Sequence, residues 1–383
     1  MPHELESYRA EFPIVDQRTY LISASLGPLS RRSRAAAEEH LDLWQRLGPE
    51  ELWIEHGMPK LEECRALIAT IIGASSDEMA LVPSVSAGLS SIATCLDLTS
   101  RPKIVLSAMD FPTNHYVWRA QERRGAQLDI VPSPDGIRID PEEYVARIDD
   151  STALVNVNRV LFESSWIVDL EPLVTAAHEH GALVVVDDFH GTGIVPFDVH
   201  AAGVDLLLGG VLKWLCGGQG LAFLYCRRDL AAHLDPLVVG WFGTMEPFSF
   251  DRSALDLRPD ARRFETGTYP LPVAWTAAGG LSIITEVGVP AIRARNRTLT
   301  SRVIDHIDEM GLELLTPRDE NRRGGLVRVR IPGGTEAAEK VLHALFDRDV
   351  VVDRRGDALR ISPHFFNDEP DIDRCFTELR DLL

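Results

Sequence analysis

Between Ala182 and Arg227 the chain holds three short apolar runs, ALVVVD, VDLLLGG and GLAFLYC, each closed by polar or glycine-rich sequence. Continuous apolar runs of this length suit strands buried on both faces of a sheet. The same rhythm recurs upstream. MALVPSVSAGLSSIATCL and KIVLSAMDFPTNHYVWRAQERRG each read as strand, polar turn and helix, and TALVNVNRVLFESSWIVDLEPLVTAAHEHG as strand, loop and helix. QLDIVPS adds a further strand. The segment from Arg31 to Leu47 predicts a helix capped by Ser30 or Ser33. Leu61, Cys64, Leu67, Ile68 and Ile71 recur at helical spacing between Lys60 and Ile72. Such alternation predicts an α/β fold around a parallel sheet. From about Val289 shorter strands alternate with helices, as in a smaller α+β unit. The expected division is an entry segment, 1–20, packing near the small domain, a large domain, 21–270, and a small domain, 271–383.

Polar residues stand at the ends of two of these runs. Asp187, Asp188 and His190 follow the first, and Lys213 follows the second. Chemistry in open α/β sheets collects at the carboxyl ends of strands. A loop lysine ordinarily reaches water, but LLLGGVL and WLCGG offer Lys213 little polar cover. Desolvation lowers a lysine pKa and frees a neutral amine, which can form a Schiff base with a carbonyl or with pyridoxal phosphate. That cofactor wants a carboxylate at its pyridine nitrogen. Asp187 is the candidate; strand alternation points Asp188 the other way. Upstream, the SVSAG turn opens a helix, with Ser86 and Ala87 in position to offer a hydroxyl and backbone N–H groups to a phosphate.

VVVDDFHGTG followed by DLLLGGVLKWLCGGQGLAFLY resembles the class V aminotransferase superfamily of fold-type I pyridoxal phosphate enzymes. Its members include kynureninases, cysteine desulfurases, selenocysteine lyases, epimerases and transaminases. The resemblance implies a large domain with a mostly parallel, seven-stranded-type sheet between helices, and a smaller C-terminal α+β domain. It implies pyridoxal 5'-phosphate on Lys213, with Asp187 at the ring nitrogen and His190 at the phenolic oxygen. The DFPTN turn is similar to that of kynureninases and makes Phe111 the ring stacked on the cofactor, with Asn114 near cofactor or substrate. Trp241 falls in a kynureninase-like GWxG segment. Thr268, in the Thr266–Gly267–Thr268 loop, is implied to reach the phosphate of a neighbouring subunit, and so implies a homodimer. LRISPHFFNDEPDID resembles the terminal motif whose arginine, here Arg360, binds the substrate α-carboxylate; His364 and Asn367 shape the same loop. Two departures stand out. Leu212 occupies the position of Tyr or His before the lysine, and Arg159 stands where the family's SHVxxxTG pattern has histidine, either altering substrate choice or forming a surface salt bridge.

The resemblance implies an enzyme that acts on an α-amino acid through an external aldimine. DFPTN and GWFG lean towards side-chain cleavage, by a kynureninase-like hydrolase or a C–S or β-elimination lyase. A class V aminotransferase is the alternative, and a non-catalytic ligand-binding member the third. No cysteine lies near Arg360, which argues against a persulfide-forming desulfurase. Composition changes the picture in few places. The 383 residues carry a net charge of −19, which disfavours a nucleic-acid partner. No apolar run has the roughly 20 residues of a membrane helix. The N-terminus lacks a signal peptide's apolar core, so a cytoplasmic protein is expected. The five cysteines are scattered without CxxC spacing, and neither disulfides nor a metal site are indicated.

Overall fold

The computed structural model describes residues 2–383. Counted along the chain, the strands of the main sheet are β1 (Met79–Val82), β2 (Lys103–Ser107), β3 (Gln127–Val131), β4 (Thr152–Asn158), β5 (Leu183–Asp187), β6 (Leu206–Gly210) and β7 (Ala222–Cys226). Their order is β1-β7-β6-β5-β4-β2-β3. Only β7 runs against its neighbours. The three apolar runs of the sequence are β5, β6 and β7. They are apolar throughout because both faces are covered: Val184, Val186 and Leu207 enter one core, Val185, Leu206 and Leu208 the other.

The helices that cover the sheet start where their sequences provide caps. Helix α1 (Arg31–Arg46) begins at Ser30, whose Oγ accepts from the Ser33 N–H at 2.9 Å. Helix α2 (Met58–Ile72) ends at Gly73 in the left-handed conformation. Helices α3 (Val85–Thr94), α4 (Pro112–Gln121) and α5 (Glu171–Glu179) follow β1, β2 and β4. Helix α6 (Leu271–Val287) is apolar along most of its length and packs on α1 and α2.

One buried ion pair ties this layer together. Arg65 of α2 meets Glu265 at 2.7 Å, with both side chains 1% exposed. Glu265 also accepts from the Leu81 N–H at 2.8 Å and from the Tyr269 hydroxyl. A single carboxylate therefore holds α2, strand β1 and the start of the Thr266–Thr268 segment. Arg65→Leu removes one partner and leaves a buried charge. The expected loss of stability is about 3–5 kcal/mol, read as a lowered denaturation midpoint; a change within about 0.5 kcal/mol would show the pair to be dispensable.

A second sheet holds the C-terminal part: β8 (Val327–Arg330), β9 (Asp353–Arg355) and β10 (Ala358–Ile361), in order β9-β10-β8 and antiparallel. Helices α7 (Val289–Glu309), α8 (Gly334–Asp347) and α9 (Glu369–Arg380) share a third core with it, including Leu299, Val303, Leu345, Ile361 and Phe376. The N-terminal segment is bound to this part. Thr19–Tyr20 pairs in parallel with Val350–Val351, Arg9 meets Asp371 at 2.8 Å, and Phe12 packs on Phe365 and Phe366. No single helix among the described residues is long and apolar enough to cross a membrane.

Candidate active site

Strand β5 ends at Asp187 and β6 at Gly210, three residues before Lys213. Behind Lys213 the chain turns sharply: the Cys216 N–H donates to the Lys213 carbonyl at 3.1 Å, and Cys216 itself has φ 51°. The N-terminal turn lies against this bend. The Gly27 N–H donates to the Leu212 carbonyl at 2.7 Å, and a Cβ on Gly27 would stand 2.2 Å from the Lys213 carbonyl oxygen. Only glycine permits that approach. From the C-terminal part, His364 Nε2 donates to the Trp214 carbonyl at 2.8 Å while its Nδ1 accepts from the Phe365 N–H. Burial lowers its pKa to about 4, so it is neutral and holds this tautomer.

The Lys213 side chain enters an aromatic cage. Its Nζ lies 2.7 Å from His190 Nε2, 4.1 Å from the Phe189 ring centroid and 5.8 Å from that of Phe111. Burial lowers its pKa to about 7, against the attraction of Asp187 and with help from Arg360 and Arg355. Burial likewise holds His190 well below the usual histidine value. The neutral amine fraction rises as pH rises through about 7. Reaction with an added aldehyde should therefore gain rate between about pH 6 and about pH 8 and then level off. Stopped-flow imine formation measures this, and a rate still climbing at about pH 10 would mean an ordinary surface amine.

Asp187 is buried, and burial raises its pKa. Its Oδ2 accepts from Asn114 Nδ2 at 3.1 Å and its Oδ1 from the Phe189 N–H at 3.0 Å. Asn158 Oδ1 accepts from both Asn114 Nδ2 and the Phe111 N–H, each at 3.0 Å. Behind it, Asp110 accepts from Asn156 Nδ2 and the Ser107 and Asn158 N–H groups, and burial pushes its pKa up to about 7. Asp188 points away, as alternation predicts. It meets Arg159 at 2.7 Å in a pair whose side chains are 4% and 0% exposed. Arg159 also donates to the Val195 carbonyl and covers the Phe197 ring. It is therefore a buried structural cation, and the expectation of a surface salt bridge is corrected.

At the rim, Ser84 caps α3 by accepting from the Ala87 N–H at 3.1 Å, and exposed Ser86 lies 3.1 Å from Thr113 at the start of α4. Phe111 precedes α4, is 38% exposed and meets Phe162 edge-on at 5.2 Å. Trp241 is half-buried among Phe242, Phe248 and Phe250. Thr268 is exposed. Leu212 is half-buried, with its carbonyl taken by Gly27.

Arg360, on β10, is 1% exposed. It donates to Asp353, to Ser25 Oγ at 2.8 Å and to the Phe162 carbonyl at 2.5 Å, while its buried Nε has no partner among the described residues. Burial lowers its pKa, partly offset by Asp353. Sequence reading passed over Phe189, Asp110, Phe162, Ser25 and Asp353. Asp110 was within reach, because it opens the DFPTN turn. Ser25 and Asp353 are 328 residues apart and no local pattern joins them.

The chain matches the family described as aminotransferase class-V over residues 54–373. It is 32% identical to the uncharacterized aminotransferase YcbU of Bacillus subtilis (strain 168), over 99% of this chain and 98% of that one. A kynureninase of Pseudomonas fluorescens is 29% identical over 92% of this chain and 85% of its own length. Isopenicillin N epimerase of Streptomyces clavuligerus is 30% identical over 92% of each. In fold the chain is similar to the apo cysteine desulfurase of Thermococcus onnurineus NA1, with TM-score 0.88 at 23% identity over 98% and 97% of the two chains. It is also similar to the cystine C–S lyase C-DES, with TM-score 0.89 at 18% identity over 97% and 99%. With its family match over most of its length, a mostly parallel seven-stranded sheet and a desolvated lysine at the sheet's carboxyl edge, the chain belongs to the class-V aminotransferase family of pyridoxal phosphate enzymes.

Proposed function

We propose that this enzyme uses pyridoxal 5'-phosphate on Lys213 to cleave the side chain of an α-amino acid, as a kynureninase-like hydrolase or a β-elimination lyase. The observation that carries the reading is the Lys213 amine, brought to a pKa of about 7 and set beside His190 at the carboxyl edge that also ends in Asp187. The residues fit the cofactor. Asp187 would hold the ring nitrogen, each of its oxygens keeping a lone pair beyond the bonds described. Phe111 would cover a ring face, and His190 would face the phenolic oxygen. Ser86 and the N–H groups opening α3 would hold the phosphate, where hydroxyl and helix dipole both favour an anion. Among the described residues the buried Asn114 Oδ1 and His190 Nδ1 have no protein partner and mark where polar groups are still to be met.

When bound, the cofactor supplies the electron sink for negative charge at the substrate Cα. The chain supplies the rest. Arg360 binds the α-carboxylate and sets the breaking bond, a task for a planar fork already braced by Ser25 and Asp353. Lys213, about half of it neutral at pH 7, takes the Cα proton and can return it. The Phe111, Phe162 and Phe189 rings exclude water from the amine. DFPTN, GWFG and the likeness to kynureninase support side-chain cleavage. The aminotransferase reading draws on the relative matched over 99% of this chain. Cofactor-loaded protein given kynurenine should change its visible band and release anthranilate, or, failing that, release pyruvate and ammonia from sulfur-bearing amino acids. Stoichiometric conversion of an added 2-oxo acid to an amino acid, with neither product, would make it a transaminase.

We also propose a homodimer. Leu237, Val238, Val239, Met245, Phe248, Phe250 and Leu255 are exposed large apolar side chains within one segment, the kind of surface that marks an interaction face. Burying it would place Trp241 and the exposed Thr268 at a shared boundary, where Thr268 would meet the neighbour's phosphate.

A further inference from the structure

Resting on the reading that Arg360 receives the α-carboxylate, we propose that Asp353 is a resident carboxylate that occupies the Arg360 fork in the empty enzyme, and that an incoming amino acid takes the fork by displacing Asp353 onto Arg355. The register of the small sheet sets Asp353 of β9 directly opposite Arg360 of β10. Asp353 Oδ2 accepts from Arg360 Nη2 and from the Ser25 hydroxyl, while Ser25 Oγ accepts from the same Nη2 at 2.8 Å. Arg360 Nη1 is held by the Phe162 carbonyl at 2.5 Å, and the buried Nε has no partner among the described residues.

A guanidinium offers five N–H groups, two on each Nη and one on Nε. Two of its edges can grip a carboxylate with paired bonds, Nε with Nη2 and Nη1 with Nη2; the side chain's own Cδ blocks the third. Both usable edges need Nη2, and Ser25 and Asp353 already take both of its hydrogens. With the Arg360 side chain 2% exposed, an arriving carboxylate must evict one of them. Ser25 can stay, because a neutral hydroxyl rotates to suit either carboxylate. Asp353 cannot share the edge, because like charges at that separation repel. It has somewhere to go. Its Oδ1 already accepts from Arg355 Nη1 at 2.5 Å, and the Arg355 side chain, 41% exposed, has room to follow it. The exchange also gives the orphaned Arg360 Nε an acceptor, since the edge that Asp353 clears is shared by Nε and Nη2. The fork adjoins the aromatic cage: the Phe162 ring lies 5.2 Å from that of Phe111 and 6.4 Å from that of His190, which is 2.7 Å from Lys213 Nζ. Asp353 is thus a positioning residue that acts through Arg360. It lowers affinity for an α-carboxylate and leaves an amine without one untouched.

Cofactor-loaded native protein and Asp353→Asn would be titrated with alanine and with ethylamine, reading dissociation constants from the visible band. Asp353→Asn should bind alanine about tenfold more tightly, the difference between evicting a charged partner and a neutral one, with ethylamine unchanged. In cofactor-free protein, propionate should raise the melting temperature of Asp353→Asn more than that of the native chain. A residue that only braced the fork would give the opposite sign. Weaker alanine binding by Asp353→Asn, or equal tightening of alanine and ethylamine, would overturn the proposal. Should Asp353→Asn fail to fold, the exposed Arg355 supplies the second variant. Arg355→Gln deprives Asp353 of its alternative partner and should weaken alanine binding several-fold; unchanged binding would overturn the proposal equally. If alanine binds no better than ethylamine in native and variant protein alike, the reading of Arg360 as carboxylate receptor fails instead. A preference for alanine that is the same in both defeats this proposal alone.

Discussion

Lys213→Ala is expected to lower turnover by about 10³-fold or more and to remove the visible band of the cofactor-loaded protein. The size follows from two roles held by one amine. It provides the covalent attachment and, once released, the proton acceptor at Cα; a positioned base alone is worth roughly 10²–10⁴ in rate. No neighbour can replace it. His190 Nε2 is within 2.7 Å, but burial holds that imidazole neutral and it stands at a different point of the cage. Because Lys213 is a desolvated amine among phenyl rings, whose protonation burial opposes, its removal should leave the fold intact or slightly more stable. Borohydride reduction of the native protein followed by peptide mapping is the companion measurement. A pyridoxyl adduct on another lysine would falsify the assignment.

Asp187→Ala should have the next largest effect: weaker cofactor binding and a loss of turnover of roughly 10²–10³-fold, the scale of losing one preorganised electrostatic partner. The adjacent residue gives the control. Asp187 and Asp188 are both buried acids at the end of β5, yet they face opposite sides. Asp188 balances Arg159 and accepts from Thr192 Oγ1 at 2.7 Å. Asp188→Ala would strand a buried guanidinium and should cost about 3–5 kcal/mol of stability. Asp187→Ala removes an acid whose ionisation burial already opposes but leaves the Phe189 N–H without its acceptor, and stability should fall by only about 1–2 kcal/mol. Thermal melts and turnover on both variants separate the roles. If Asp187→Ala unfolds early while its remaining activity per folded molecule is unchanged, Asp187 is a structural acid and the ring-nitrogen role goes elsewhere.

Much of this protein could be read directly from its sequence. Apolar runs of strand length ended by polar residues determined β5, β6 and β7, because a strand covered on both faces must be apolar at successive positions. The same runs put Asp187 and Lys213 at one edge, since parallel strands share a direction. Alternation alone separated Asp187 from Asp188. The cap of α1 was narrowed to two serines, of which Ser30 takes the role, because such a cap bonds within three residues. Other features were decided by tertiary structure. Arg159 reads as a loop arginine, and its burial follows from a carboxylate 29 residues away in sequence. Arg360 reads as a strand arginine, but its state depends on Ser25, 335 residues away, and on the Phe162 carbonyl from the loop after β4. The low pKa of Lys213 required Phe111, Phe189 and His190 to close around one atom. Periodicity reports which face a residue takes within its own element. Desolvation and charge pairing depend on which elements meet, and these are properties of the folded chain alone.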